Sequence, residues 1–294
     1  MSDKLLDDQY FPALFQAADK ASLEAQCHYF LALKSYLFLL VIAALISFYF
    51  PQESWAAIAS AALFLITLGI LIWLKVQRPE DIWYNGRAVA ESVKTRSWRW
   101  AMKAEPYDQN VSDEQIRKEF LSDLKAILNQ NRSLSGHLNW ANHNDNAISE
   151  EMIALRNMSL PDRISIYKNE RIKDQADWYA KKSLFNKQRA KYWFITSIVL
   201  HSIAILMLLY RIKYSNISLP IEVVATSASA VLTWLQSKKH NELNSSYSLA
   251  AHEIVLIKSE GETVNSEESF SQFVLNSESA FSREHTQWSA RKNV

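Results

Sequence analysis

"SWAAIASAALFLITLGILIWL", residues 54–74, lies between Glu53 and Lys75 and holds no charged side chain. A hydrocarbon core about 30 Å thick takes roughly 20 helical residues to cross. A charge-free run of that length is foreign to the half-buried helices of a soluble domain. The stretch therefore reads as a membrane span. On its N-terminal side "SYLFLLVIAALISFYFPQ", residues 35–52, repeats the pattern, and only Pro51, Gln52 and Glu53 stand at the join. The two form a hairpin over 35–74, with Tyr36, Phe48, Tyr49, Phe50, Trp55 and Trp73 where interfacial anchors belong.

Further along, "YWFITSIVLHSIAILMLLY" (192–210) and "NISLPIEVVATSASAVLTWLQ" (216–236) make a second hairpin over 192–236. The chain of 294 residues has only 4 glycines and 6 prolines, so long helices are expected. The expected fold is all-α, a polytopic membrane protein with four transmembrane helices and a cytoplasmic helical bundle. It divides into a cytoplasmic amphipathic helix (1–34), hairpin 1 (35–74), a central helical domain (75–191), hairpin 2 (192–236) and C-terminal helices (237–294). Residues 75–191 hold 21 Lys and Arg against 16 Asp and Glu, while 1–34 hold 3 against 5 and 238–294 hold 6 against 8. Lys34, Lys75 and Arg78 flank the first hairpin; Arg189, Lys191, Lys238 and Lys239 flank the second and outweigh Arg211 and Lys213 at its tip. By the positive-inside rule both termini and the central domain are cytoplasmic. The first apolar run comes after some thirty amphipathic residues and has no small-residue cleavage site behind it, so it is read as a span of a multi-pass inner-membrane protein and not a signal peptide.

The two hairpins carry similar flanks. Before them stand "EAQCHYF" (24–30) and "KDQADWY" (173–179), pairing Gln26, Tyr29 and Phe30 with Gln175, Trp178 and Tyr179. After them stand "YNGRAVAESVK" (84–94) and "YSLAAHEIVLIK" (247–258), pairing Glu91 with Glu253. Each unit reads as an incoming amphipathic helix, a hairpin and an outgoing helix that continues into the cytosol. The units differ where it matters for charge: Leu249 stands opposite Arg87, Leu256 opposite Lys94, and Arg171 opposite Ser22.

The outgoing stretch "WYNGRAVAESVKTRSWRWAMKAEPY" (83–107) contains Arg-x-x-x-Glu-x-x-Lys, Trp and a closing Pro-Tyr. The incoming "DRISIYKNERIKDQADWYAKKS" (162–183) contains Tyr-x-x-x-Arg-x-x-x-Gln-x-x-Trp-Tyr. Both resemble the signatures of SLATT domains, with Glu91, Gln175, Trp178 and Tyr179 as motif positions. The resemblance implies a bacterial membrane effector of nucleotide-dependent conflict systems. Such an effector forms pores that stop growth of a phage-infected cell, in response to a nucleotide or short oligonucleotide made by a partner nucleotidyltransferase. A SLATT domain ordinarily has one hairpin.

Arg87, Glu91 and Lys94 share a helical face, where opposite charges stabilise one another, and Trp83, Trp98, Trp100 and Met102 suit packing on the incoming helices. Alternatively Arg87, Lys94, Arg96 and Arg99 meet phosphates of a ligand while an aromatic stacks on a base, with Arg163 and Arg171 as further candidates, although the stripe of Arg163, Tyr167, Arg171, Gln175 and Trp178 or Tyr179 reads first as an interhelical contact. Anionic lipid headgroups are a third partner for the same cations. Between the motifs, Ser112 to Gln115 is a capping box ahead of a helix with Ile116, Phe120, Leu124 and Ile127 on one face. The Asn-rich run after it (129–149) reads as irregular.

In the last apolar run Glu222, Thr226, Ser229, Thr233 and Gln236 recur at offsets of four and three. They line one face, and a carboxylate in a span is costly unless it meets water or a partner. The stripe is expected to line a pore in a homo-oligomer such as a tetramer; close packing of the small residues around it is the competing reading. His201, in the third span, reads as a satisfied buried group. The seven histidines (28, 137, 143, 201, 240, 252, 285) have no metal-ligand spacing, the single cysteine excludes an internal disulfide, and neither a nucleophile elbow nor a phosphate-binding glycine loop is present. No cofactor, no enzymatic activity and no duplex DNA partner are expected. The functional expectation is an oligomeric ligand-gated pore in antiphage defence. The alternative is a membrane-anchored scaffold or sensor that binds a partner protein without a pore.

Overall fold

A computed structural model of the chain describes residues 5–108, 111–138 and 147–290. Every regular element among them is helical. The ten α-helices are α1 (Ala13–Tyr49), α2 (Ser54–Gln77), α3 (Pro79–Ala101), α4 (Asp113–Gln130), α5 (Glu150–Arg156), α6 (Leu160–Ile166), α7 (Lys173–Lys213), α8 (Ile221–Lys238), α9 (His240–Glu260) and α10 (Glu267–Ala290). Each of α1 and α7 joins an amphipathic segment and an apolar run in one uninterrupted helix, because neither Gly nor Pro occurs inside it. A π-helical turn, Tyr167–Ile172, links α6 to α7.

Helix boundaries obey local chemistry. Ser112, Ser149 and Ser159 each accept an amide hydrogen bond at the start of α4, α5 and α6, as the capping box at Ser112 leads one to expect. Arg78 adopts a left-handed conformation (φ 45°) and its amide bonds the Leu74 carbonyl, which ends α2. Pro79 then opens α3, since its ring disfavours the right-handed helical conformation at Arg78. Lys239 repeats the device at φ 49°, bonding the Leu235 carbonyl between α8 and α9. The expected continuous outgoing helices are therefore each broken once, at positions five residues after Trp73 and Trp234. Residues Arg132–His137 of the Asn-rich run form a 3-10 helix where irregular chain was expected, and 139–146 of that run lie outside the described residues.

Residues Met1–Gln26, Glu80–Lys181 and Ser246–Val294 make one compact unit, and Cys27–Pro79 and Lys182–Ser245 make another. The first has an aromatic core: Phe11 meets Phe15 and Trp98, Trp98 meets Tyr167, and Tyr167 meets Phe270 and Phe273, all edge-on at 5.1 to 6.4 Å. Here α1 and α3 approach closely at Gly86, where a Cβ would stand 2.9 Å from the Ala18 carbonyl oxygen. Beside it Ser22 donates to the Trp83 carbonyl at 3.0 Å.

In the second unit many buried positions are small and many large apolar side chains are exposed. Its buried positions include Ala43, Ala56, Ser60, Thr67, Ser197 and Ala228, while Ile58, Leu65, Ile66, Phe194, Leu206 and Ile212 are exposed. Ile58 and Leu65, at 70% and 69% exposed, would each lose a burial contribution of about 1.5–3 kcal/mol in water. Small residues between helices with large apolar residues outside is the packing of helices in lipid. Three helical stretches, Ala13–Tyr49, Ser54–Ala101 and Leu160–Lys213, are long and apolar enough to cross a membrane. The expected fourth span, α8, falls outside this set. It has 18 residues and starts at Ile221 instead of Asn216, and Glu222 with its hydroxyl residues dilutes its apolar character.

Candidate functional site

In the first unit the carboxyl end of α3 is held by arginines. The Lys103 backbone is left-handed (φ 54°) and the Ala104 amide bonds the Arg99 carbonyl, which turns the chain out of the helix. Guanidinium groups bond carbonyls at and beyond this end, Trp100 O among them although it also accepts the Lys103 amide at 3.2 Å. Arg156 donates to Trp100 O at 2.6 Å and Tyr107 O at 3.1 Å, and Arg163 donates to Met102 O at 2.8 Å. Cations suit this end of a helix, where its dipole is negative.

Helix α10 closes the arrangement. Glu267 pairs with Arg163, and Glu278 receives Arg171 through two bonds of 2.8 and 2.7 Å and the Tyr167 hydroxyl at 3.0 Å. Arg163, Arg171 and Glu278 are 1%, 2% and 0% exposed. Burial by itself would lower the Arg171 pKa, but Glu278 more than offsets it and the net shift is upward. Burial, then Glu278, pushes the Tyr167 hydroxyl well above its ordinary range, so it stays a hydrogen-bond donor. The π-helical turn carries Tyr167 and Arg171, and the extra residue in the turn is a common device at structurally demanding sites.

The other cations singled out in the sequence lie along α3. Arg87 pairs with Asp19 at 3.3 Å and Glu91 at 2.6 Å; burial opposes its charge, and Glu91 with Asp19 raises its pKa overall. Lys94 pairs with Asp8 at 2.6 Å and lies over the Phe11 and Phe15 rings. Arg96 pairs with Asp123 at 3.2 Å, an acid that also accepts from the Tyr107 hydroxyl at 2.5 Å. Arg99 differs. Its Nε donates to the Glu105 carbonyl at 2.6 Å, and its pKa is lowered by burial and by Arg96. A ligand reaching Arg163 or Arg171 would have to displace Glu267 or Glu278, whereas Arg99 stands near another cation and makes no ion pair with a carboxylate among the described residues. Trp98, Trp100 and Met102 are buried in the core, as the packing reading has them.

Of the motif residues, Tyr179 is buried and Trp178 and Tyr179 meet Tyr247 of α9 at 5.3 and 5.8 Å. Gln175 is partly exposed and Glu91 holds Arg87. Sequence reading missed Arg156, Glu267 and Glu278. The signal available was the spacing of Glu267, Phe270, Val274 and Glu278 on one face of α10, three helical turns long.

On α8, Glu222, Ser229 and Gln236 are exposed and Thr226 and Thr233 partly so, while Ile221, Val223 and Ala228 are buried. The polar stripe is the outward arc of this helix in a single chain. The threonine hydroxyls bond the Glu222 and Ser229 carbonyls one turn back, at 2.8 and 2.9 Å. Glu222 stands in the first turn, where the helix dipole favours an acid. His201, expected to be buried, is exposed; its Nδ1 donates to the Ser197 carbonyl at 2.7 Å, which satisfies it within its own helix.

Two family models match the chain. "SMODS and SLOG-associating 2TM effector domain 3" covers residues 12–164, and "SMODS and SLOG-associating 2TM effector domain 1" covers residues 167–288. Each match encloses one hairpin with its incoming and outgoing helices, as the internal repeat predicts. No curated protein and no solved structure matches.

Proposed function

Since the chain belongs to the SLATT family and carries two of its effector domains in tandem, we propose that it is a homo-oligomeric pore in the bacterial inner membrane, gated by a nucleotide-type ligand. Both termini and the first unit lie in the cytoplasm in this reading, α8 crosses with the three longer helices, and opening the pore stops growth of an infected cell. The name of the matched models couples such domains to SMODS and SLOG partners, in keeping with a nucleotide or short oligonucleotide made by a partner nucleotidyltransferase.

The observation that carries the reading is the outward polar stripe of α8. In lipid, a helix face bearing Glu222, Thr226, Ser229, Thr233 and Gln236 requires water or another subunit, and a ring of subunits supplies both. Glu222 becomes a ring of acids at the outer mouth and favours cations. On the cytoplasmic side Arg99, with Arg96 beside it, is the cation best placed for a ligand phosphate, because it makes no ion pair with a carboxylate among the described residues and an anion offsets the repulsion from Arg96. Ligand binding gates only through unequal affinity for open and closed forms.

Ion flux from liposomes containing the purified protein tests this. Flux is expected to depend on a cyclic or linear oligonucleotide, Glu222→Gln to reduce cation selectivity, and Arg99→Ala to remove the ligand response while leaving ligand-free conductance unchanged. Flux indifferent to Glu222→Gln removes α8 from the pore. The scaffold reading has one observation of its own: Leu249, Val255 and Leu256 are exposed on α9, outside the apolar hairpins, and suit a protein partner. Liposomes that never conduct, together with a partner lost on Leu256→Asp, would favour it.

A further inference from the structure

Where α1 enters the first apolar run and α8 leaves the last, two lysines share one aromatic cluster. Lys34 Nζ lies 5.5 Å from the Trp234 ring centroid and Lys238 Nζ lies 5.0 Å from it. Lys238 Nζ also stands 3.3 Å over the Phe30 ring, and Phe30 and Trp193 pack edge-on against Trp234. Among the described residues neither lysine has a carboxylate partner, unlike Lys94 and Lys118. The indole and phenyl faces offset part of the repulsion, yet the pair remains a concentrated positive charge without a counter-ion. Burial, then Lys34, pushes the Lys238 pKa down to about 8. Two residues on, burial, Lys238 and Arg189 lower the pKa of His240. In both, burial is the larger cause and neighbouring positive charge the second, and a bound anion offsets that second cause.

The position fixes the kind of anion. Lys34 immediately precedes the run 35–52 and Lys238 comes two residues after Gln236, so both ammonium groups stand at headgroup level when the hairpins lie in a bilayer. Trp193 and Trp234 beside them belong to the apolar runs, where interfacial aromatic residues are expected. We propose that Lys34, Lys238 and the Trp234 ring form a binding site for a phosphate group at the cytoplasmic membrane surface, supplied by an anionic lipid headgroup. The site requires only that the hairpins are in lipid and does not depend on a pore. Occupied, it ties the start of hairpin 1 to the end of hairpin 2 through one headgroup.

The test uses the full chain in detergent, titrated with phosphatidylglycerol or phosphatidylcholine, with bound lipid counted by native mass spectrometry. Phosphatidylglycerol is expected to bind and phosphatidylcholine not. Lys34→Ala with Lys238→Ala weakens binding by about tenfold or more, given two cations at the membrane surface. Lys34→Arg with Lys238→Arg retains it, which separates loss of the site from misfolding, and Lys258→Ala on α9 changes nothing. Inorganic phosphate is the competitor: failure to displace the lipid assigns the phosphate to the headgroup, and displacement that requires both lysines keeps the site and assigns it a soluble phosphate. Equal binding of the two lipids, or lipid and phosphate binding unchanged in the double alanine variant, overturns the proposal.

Discussion

Arg171 carries its charge to a place where 2% of its side chain meets solvent, and Glu278, at 0%, is the group that makes this tolerable. Removing one member of a buried pair leaves the other uncompensated, at a cost of about 3–5 kcal/mol. Glu278→Gln is therefore expected to lower stability by roughly that amount, read as thermal unfolding in detergent, and Arg171→Met with Glu278→Leu to recover most of it. An unchanged midpoint in Glu278→Gln would contradict the pairing. The stripe of Arg163, Tyr167 and Arg171 was legible in the sequence as a face that packs on other helices, but its acidic partners were not, since the partner of Arg171 lies 107 residues away in a helix without a motif. Arg171 also marks how the repeat diverged, since Ser22 in the equivalent place makes a hydrogen bond to the Trp83 carbonyl instead. His240 gives a second prediction at this scale. Asn186 Nδ2 donates to the Lys182 carbonyl at 2.7 Å, so its Oδ1 faces His240 Nδ1 at 2.8 Å and accepts from it. The folded-state pKa of His240 lies below the ordinary 6.5, through burial and the charges of Lys238 and Arg189. A depressed pKa means the contribution to stability is full above 6.5 and is lost as pH falls through the folded-state value. Unfolding midpoints should thus drop on acidification below about pH 6.5, and drop less in His240→Asn. Identical pH profiles for the two proteins would remove His240 from the effect.

At the scale of the element, the helices were legible because so little in the chain interrupts them, and their ends were legible where a side chain makes the end. Ser112 is an example, since its hydroxyl accepts from the Gln115 amide as the box predicts. The break after α2 had a signal in Pro79, which disfavours a helical conformation at Arg78. The break after α8 had none, because a lysine at positive φ leaves no mark in composition. An L-residue in the left-handed region costs about 1–2 kcal/mol, and glycine escapes most of it. Lys239→Gly is accordingly expected to raise stability by up to about 1 kcal/mol, offset in part by the greater freedom of glycine in the unfolded chain. Differential scanning calorimetry in detergent measures it, and a clear loss of stability would show that Lys239 does more than turn the chain. The recurrence of the turn at Arg78, equally placed after its tryptophan, makes it a property of the repeat.

For the whole molecule the decisive feature is that small residues such as Ala43, Ala56, Ser60, Thr67 and Ser197 are buried in the apolar helices while many of their isoleucines, leucines and phenylalanines face outward. Hydropathy alone made the membrane reading legible, and the tandem match to two-transmembrane effector domains agrees with the duplication read from Gln26 and Gln175. What hydropathy could not settle is α8, whose polar stripe makes it too hydrophilic to stand with the other three and which needs a neighbouring subunit or water to cross. Topology is the most direct test. In a Cys27→Ser background, single cysteines placed by Gln52→Cys, Ser218→Cys and Lys125→Cys are challenged in intact cells with a membrane-impermeant maleimide. Gln52→Cys and Ser218→Cys should label from outside, and Lys125→Cys only after the cells are opened. Labelling at 125 in intact cells, or at 52 and 218 only after opening, would contradict two hairpins with their charged helices gathered on the cytoplasmic side.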